Sequence, residues 1–301
     1  MPSLSVIVPA TNTPPTLGAC LDAIRSAEET PEELIVVEEG GGGPAGARNR
    51  GAARATGDVL VFVDADVVVH RDAFARIRRA FDADRSLAAL FGSYDDAPAD
   101  PGTVSQFRNL LHHHVHHEGA GPATTFWAGL GAVRRDVFES AGGFDADRYA
   151  VPSVEDIDLG TRLAATGCRI ELDPAVQGTH LKAWSLHGMV ESDLWHRGVP
   201  WVELLLRHGM RSSALNLGWR HRASAVASLV AAFSLLRGRW SRAVVAFGAL
   251  VALNRSFYAL LLRKRGPRAA VAGVGLHALH HVVGVLSVPI ALFERLRRDR
   301  E

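Results

Sequence analysis

Short runs of consecutive apolar residues alternate, through the first two-thirds of the chain, with segments whose apolar positions recur every three or four residues. Leu4–Val8 is such a run, closed by Pro9, and predicts a short buried strand. Leu17–Ala27 carries Leu17, Cys20, Leu21 and Ile24 at helical spacing, and Leu34–Val37 reads as a second strand. Strand, helix, strand in that order implies a parallel pair joined by a crossover helix. A helix over Ala45–Thr56 precedes Val59–Val63, a run with no polar position that suits a strand buried on both faces of a parallel sheet. Further on, the pattern predicts a helix over 72–81, a strand over Leu87–Gly92 and a helix over 103–118. Thr125–Val133 reads as a strand in which Gly129 and Gly131 admit a close approach to the backbone. Gly142–Asp145 is a turn, Val154–Leu159 opens a helix with Leu159 and Leu163 on its apolar face, and Ile170–Leu172 is a short strand with His180 eight residues beyond it. The fold class is α/β.

Near residue 222 the pattern changes. Asp and Glu disappear until Glu294, Ala, Val and Leu dominate, and Arg gathers in clusters. The apolar segments are Ala223–Leu236, Ala243–Leu262 with Asn254 and Arg255 inside it, and Ala269–Phe293, which holds no formal charge. As a helix the last spans about 37 Å, enough to cross a bilayer with tilt, whereas the first is short for a span. One to three spans, interfacial helices, or a buried bundle all satisfy this pattern, and the cationic ends without acidic residues favour membrane attachment. Arg clusters flank every segment, so the distribution of positive charge selects no topology. The expected organisation is a domain over 1–205, a connecting amphipathic segment over 206–222, hydrophobic helices over 223–294 and a basic tail over 295–301.

Charge and cysteine content narrow this picture. Lys and Arg number 33 against 32 Asp and Glu, which leaves no global field of the kind that binds nucleic acid. Cys20 and Cys168 cannot build a disulfide framework, as expected of a reducing compartment. The N-terminus enters a strand at once, without the basic and then apolar stretch of a secretory signal, so the first domain is expected on the cytoplasmic side of a cell membrane.

Candidate chemistry begins where Val59–Val63 ends. Ligand crevices of such sheets lie beyond the carboxyl ends of the strands, so Asp64 and Asp66 are expected to project into one. Their oxygens suit a hard divalent cation whose remaining positions are filled by substrate phosphates. The run Gly40–Gly43 has no Gly-Lys-Ser/Thr sequel and is neither a P-loop nor a dinucleotide fingerprint. His112, His113, His114, His116 and His117 sit on one helix, where consecutive side chains diverge, so an acceptor-contacting or solvated face is expected rather than a metal site. Glu155, Asp156 and Asp158 lie in a first helical turn, where the dipole favours carboxylates on structural grounds alone.

Taken together, an ordered series of short matches resembles the family-two glycosyltransferases of the GT-A fold over roughly residues 3–205. The series is Ser5-Val6-Ile7-Val8-Pro9, Val36-Val37-Glu38-Glu39-Gly40, Ala47-Arg48-Asn49 with Gly51, Val63-Asp64-Ala65-Asp66, Gly142-Gly143-Phe144-Asp145, and Glu155-Asp156 with Asp158-Leu159. The resemblance implies a Rossmann-like, mostly parallel sheet flanked by helices, followed here by membrane or interfacial helices. It also implies a nucleotide-sugar donor, with UDP the favoured nucleotide. Pro9, Thr11 and Glu38 would line the nucleoside pocket, and Arg48 would lie near the base or diphosphate. Asp64 and Asp66 would hold Mg²⁺ or Mn²⁺ on the diphosphate, with His180 as a third metal or phosphate contact. Asp156 would be the general base of an inverting transfer, with Glu155 and Asp158 orienting the loop or touching the acceptor.

The chain departs from the family's common pattern at two places. Its second strand ends in Glu38-Glu39-Gly40-Gly41 rather than Asp-Asp-Gly-Ser, and Arg197-Gly198-Val199-Pro200-Trp201 stands where processive synthases carry Gln-x-x-Arg-Trp. A single transfer is therefore expected, with Trp201 as an acceptor-side or loop-orienting residue. Attachment to a membrane points to a lipid-linked or cell-envelope glycan as acceptor. The competing readings are a sugar nucleotidyltransferase on the same fold and a non-catalytic membrane scaffold that retains a nucleotide-sugar-binding domain.

Overall fold

The computed structural model describes residues 1–11, 13–208 and 218–298. Most of the connecting segment 206–222 and the end of the basic tail, including Arg300, lie outside the described residues. The chain divides into two compact units, Met1–Ala99 with Val115–Lys182, and Asp100–His114 with Ala183–Glu301.

In chain order the first part runs β1 (Leu4–Pro9), α1 (Leu17–Arg25), β2 (Glu33–Val37), α2 (Gly43–Ala52), β3 (Val59–Val63), β4 (Val67–Val69), α3 (Ala73–Ala83), β5 (Leu87–Tyr94), α4 (Thr103–Glu118), β6 (Gly121–Ala123), β7 (Leu130–Arg134), α5 (Arg135–Ser140), α6 (Glu155–Ala165) and β8 (Arg169–His180). The strands form one sheet in the order β2-β1-β3-β7-β5-β8-β4, with β6 also on β8. β1 pairs in parallel with both β2 and β3, and β5 with β8. β7 runs antiparallel between β3 and β5, so the sheet is mixed. The core forms because Leu17, Cys20 and Ile24 of α1 and Phe74, Ile77 and Phe81 of α3 join the inward residues of β1 and β3 in one apolar cluster. Every residue of β3 is buried, as its unbroken apolar run requires.

Three elements differ from the sequence reading. Residues 125–129 are not strand, and β7 begins only at Leu130. Phe126 and Ala128 are buried all the same, so an apolar run here records burial without pairing. The short strand expected over Ile170–Leu172 continues through Pro174 to His180. A register shift between the Phe91–Leu172 and Ser93–Gln177 pairs absorbs the proline, which cannot donate to a ladder. His180 therefore ends a strand and pairs with Val67. The histidines of α4 are not a solvated face either, since His113 and His116 are buried.

The second unit is helical. α7 (Leu186–Glu191) runs through a π-helical stretch, Ser192–Gly198, into α8 (Val199–His208). α9 (Trp219–Leu236), α10 (Trp240–Leu253) and α11 (Arg255–Arg298) follow. α11 breaks at Gly266, whose φ of 81° lies in the left-handed region. Its two arms fold back on each other: a Cβ on Gly273 would come within 2.5 Å of Leu261, and the Tyr258 hydroxyl lies 2.9 Å from His277 Nδ1. Among the described residues, α11 is the one helix long and apolar enough to cross a membrane. This unit buries an apolar cluster that includes Phe257, Leu260 and Leu261, and beside it Ser224, Ser228, Ser234, His277, His281 and Ser287 are also inside, while Phe233, Leu236, Val244, Val245, Val271 and Phe293 are exposed.

Candidate active site

The parallel strands β1, β2 and β3 end along one edge of the sheet, where Pro9 pairs with Val37 and Val63 pairs with Leu130 at the start of β7. Thr11, Glu38 and Asp64 follow these strand ends directly, Glu38 exposed and the other two half-buried. β3 continues into a turn in which the Val67 N–H donates to the Asp64 carbonyl at 2.9 Å, so Asp64 and Asp66 both leave the sheet at this edge. The buried Cys20 thiol sits 3.6 Å from the Asp64 carbonyl oxygen. Burial, followed by the charges of Asp64 and Asp66, pushes its pKa up to about 12, so it stays a protonated thiol.

Arg48, from α2, links the two acidic motifs. Its Nη2 donates to Asp64 Oδ1 at 2.7 Å and its Nη1 to Glu155 Oε1 at 2.8 Å. Its guanidinium also lies 5.5 Å from the centroid of the Phe144 ring. Burial lowers the pKa of the guanidinium, but the carboxylates of Asp64, Glu155 and Asp156 outweigh it and raise the pKa above its ordinary value. The reciprocal effect on Asp64 is incomplete, because desolvation leaves its carboxyl above the usual range. Glu155 also accepts the Ser153 N–H at 2.9 Å, which ties the start of α6 to the same cluster.

A second cluster surrounds Asp66. His180 Nε2 lies 3.3 Å from Asp66 Oδ2, and the His180 ring stacks on Tyr94 at 4.3 Å with an interplanar angle of 9°. Burial raises the Asp66 pKa, but the hydrogen bond and charge of His180 more than offset it and bring the group below its ordinary value.

Asp156 stands in the first turn of α6 with both oxygens engaged by backbone. Oδ2 accepts the Ala128 N–H at 3.1 Å and Oδ1 accepts the Ile157 N–H at 2.8 Å. The next residue after Ala128 is Gly129, whose carbonyl accepts the Asp64 N–H at 3.0 Å. The dipeptide Ala128-Gly129 thus bonds the Asp156 carboxylate on one side and the Asp64 main chain on the other.

The structure therefore brings together Arg48, Asp64, Asp66, Glu155, Asp156 and His180, and sets Pro9, Thr11 and Glu38 at the same strand ends. Asp158 is turned elsewhere. It is buried and accepts Arg162 Nε at 2.8 Å, while that guanidinium also binds the carbonyls of Ala141 and Gly143. Trp201 lies in α8, within the second unit. Tyr94, Trp127 and the Ala128-Gly129 backbone are contributors that sequence reasoning missed; the one visible signal was the glycine at 129 before a strand. Among the described residues no group of three or more His, Cys, Asp or Glu is arranged to hold a metal by itself, and His116 Nδ1 is instead within hydrogen-bonding distance, 2.8 Å, of the Gly92 carbonyl.

Residues 37–142 match the sequence family described as Glycosyl transferase family 2. No curated protein matches the chain in sequence. Among solved structures, a mannosyltransferase of Pyrobaculum calidifontis, PcManGT, in complex with GDP-Man and Mn²⁺, superposes with a TM-score of 0.56 at 20% identity, over 95% of this chain and 87% of its own. TarS of S. aureus (residues 1–349) with UDP-GlcNAc covers 94% of this chain and 90% of its own at 16% identity, but its TM-score of 0.49 is too low to add to the fold assignment.

Proposed function

We propose that this chain, which has a GT-A fold and matches the family 2 glycosyltransferase model over residues 37–142, is a glycosyltransferase that moves a sugar with inversion from a nucleoside diphosphate to an acceptor hydroxyl on a lipid-linked or cell-envelope glycan. The observation that carries this reading is the Ala128-Gly129 dipeptide, which fixes Asp64 on one side and Asp156 on the other. An in-line displacement needs that separation of roles: one acidic group serving the leaving diphosphate, another serving the incoming hydroxyl.

An acceptor hydroxyl is a poor nucleophile at neutral pH, and a carboxylate within hydrogen-bond reach must take its proton as the new bond forms. Asp156 is assigned that role, with its direction set by the N–H groups of Ala128 and Ile157. Pro9, Thr11 and Glu38 line the nucleoside end. UDP is the favoured nucleotide, and the GDP-Man complex of PcManGT makes GDP the first competitor.

The leaving group gathers negative charge, and Mg²⁺ or Mn²⁺, when bound, would supply the Lewis acid that offsets it. Asp66 and His180 would hold that ion. Their donor atoms lie 3.3 Å apart, and an incomplete protein set of this kind suits an ion whose remaining ligands are diphosphate oxygens. Asp64 would join them through Oδ2, since its Oδ1 accepts the Arg48 guanidinium.

Residues 1–205 are assigned to donor and acceptor binding and 223–294 to membrane attachment, supported by the long apolar arm of α11 beyond Gly266 and by the large apolar side chains that the helical unit exposes. The test is a thermal-shift series on the detergent-purified full chain with UDP-, GDP- and dTDP-sugars, with Mn²⁺ or with chelator. One nucleotide class should raise Tm only with the metal, because ligand that binds only the folded state stabilises it by mass action. Absence of any shift in a folded sample would overturn the donor site.

A further inference from the structure

We propose that the indole of Trp127 is the surface on which the transferred sugar ring stacks. The proposal rests on the glycosyl-transfer reading and adds to it the group that recognises the sugar itself. In that reaction the anomeric carbon must lie between the leaving diphosphate, on the Asp66 side, and the base, Asp156. Trp127 is tied to both sides. Its ring packs at 85° and 4.9 Å from Tyr94, Tyr94 stacks on His180, and His180 holds Asp66. On the other side, the N–H of the following residue, Ala128, binds Asp156. The indole also lies over Gly129, where a Cβ would come within 2.4 Å of the ring, and the Gly129 carbonyl holds the Asp64 N–H.

The geometry of the ring suits this use. Tyr94 and His116 both meet Trp127 nearly at right angles, the latter at 86° and 5.4 Å. His116 is itself anchored on the Gly92 carbonyl. Gly129 supplies no side chain to push the indole away. The ring is therefore locked in orientation while remaining only half-buried. A rigid, partly exposed indole beside convergent polar groups is the common way to bind a ring that is apolar on its faces and polar at its rim. Sequence alone points to no role for this tryptophan, because its neighbours come from β5, α4 and β8.

The test separates the sugar from the nucleotide. Affinities of UDP and UDP-GlcNAc, and of GDP and GDP-mannose, are measured with Mn²⁺ by titration calorimetry on the full chain, for wild type, Trp127→Leu and Trp127→Phe. With the nucleotide that wild type binds, Trp127→Leu is expected to weaken the nucleotide sugar about tenfold while the bare diphosphate stays within about twofold. Trp127→Phe, which keeps a ring, should retain most of the sugar's contribution, and Trp127→Met, flexible and without a ring, takes the place of the Leu variant with the same expected loss if that variant does not fold. Equal weakening of diphosphate and sugar nucleotide would mean a structural role, and unchanged affinity for both would mean no contact; either overturns the proposal. Failure of wild type to bind any of the four ligands would instead strike at the glycosyl-transfer reading itself.

Discussion

Arg48 shows how far single residues at this site depend on partners distant in sequence. Its two carboxylates, Asp64 and Glu155, lie 16 and 107 positions away, so the motif around residue 48 was legible and its partnership was not. A buried cation between two carboxylates is costly to break, because each partner is left charged and desolvated. Arg48→Ala is expected to lose about 3 kcal/mol or more of stability in denaturant unfolding. Arg48→Lys should also fall well short of wild type, since an ammonium cannot span both partners as a planar fork does; a Lys variant with the wild-type midpoint would contradict the bridge. Asp158 behaves differently. The resemblance gave it an acceptor-side or loop-orienting role, and its bond to Arg162, which in turn holds the turn carbonyls of Ala141 and Gly143, fits the loop-orienting one. Asp158→Asn is accordingly expected to cost about 1 kcal/mol with KM for the acceptor unchanged. A raised acceptor KM at unchanged stability would restore the acceptor-contact reading.

At the scale of elements, periodicity located β1, β2, β3 and β5 and helices α1, α3, α4 and α6, because each buries one face or is buried throughout. It failed where local chemistry broke the pattern. Pro174 hid the continuation of β8 to His180, and buried Phe126 and Ala128 imitated a strand. The register of β1 on β2 has its own pH signature. Ser5 pairs with Glu33, and the Glu33 carboxylate accepts the Ser5 hydroxyl and the Thr56 N–H. These bonds hold its pKa down at about 2, against an ordinary value of 4.5. A carboxylate with a depressed folded-state pKa stabilises fully above its unfolded value and loses that contribution as pH falls through the folded one. Glu33→Gln should therefore be less stable than wild type at pH 7, with the difference shrinking between about pH 4.5 and 2. A difference constant across that window would refute it. Helix α6 carries a second test. A Cβ at Gly160 would meet the Phe126 nitrogen at 2.2 Å and the Thr125 carbonyl carbon at 2.4 Å. Gly160→Ala must push α6 off the segment leading to Ala128, at a cost of about 1–3 kcal/mol, and should lower both Tm and transfer.

For the molecule as a whole, the loss of acidic residues after Glu203 was the most legible sign of a second kind of structure. Its interior was less legible: the break at Gly266, the folding back of the α11 arms and the burial of His277 and His281 follow from packing, which a linear charge pattern does not report. Serine and histidine inside with valine, leucine and phenylalanine outside costs free energy in water and suits a hydrocarbon surround. The full chain is thus expected to stay in the membrane pellet through washes in high salt and in alkaline carbonate. Release by salt alone would mean that the helices are held by charge and do not span. The central claim is the division of labour across Ala128-Gly129, with the Asp64–Asp66 turn serving the donor and Asp156 the acceptor. Single-turnover transfer and nucleotide-sugar affinity, measured together on Asp156→Asn, test it most directly. Affinity within about threefold of wild type and transfer slower by about a thousandfold is the predicted result, and parallel loss of both would contradict it.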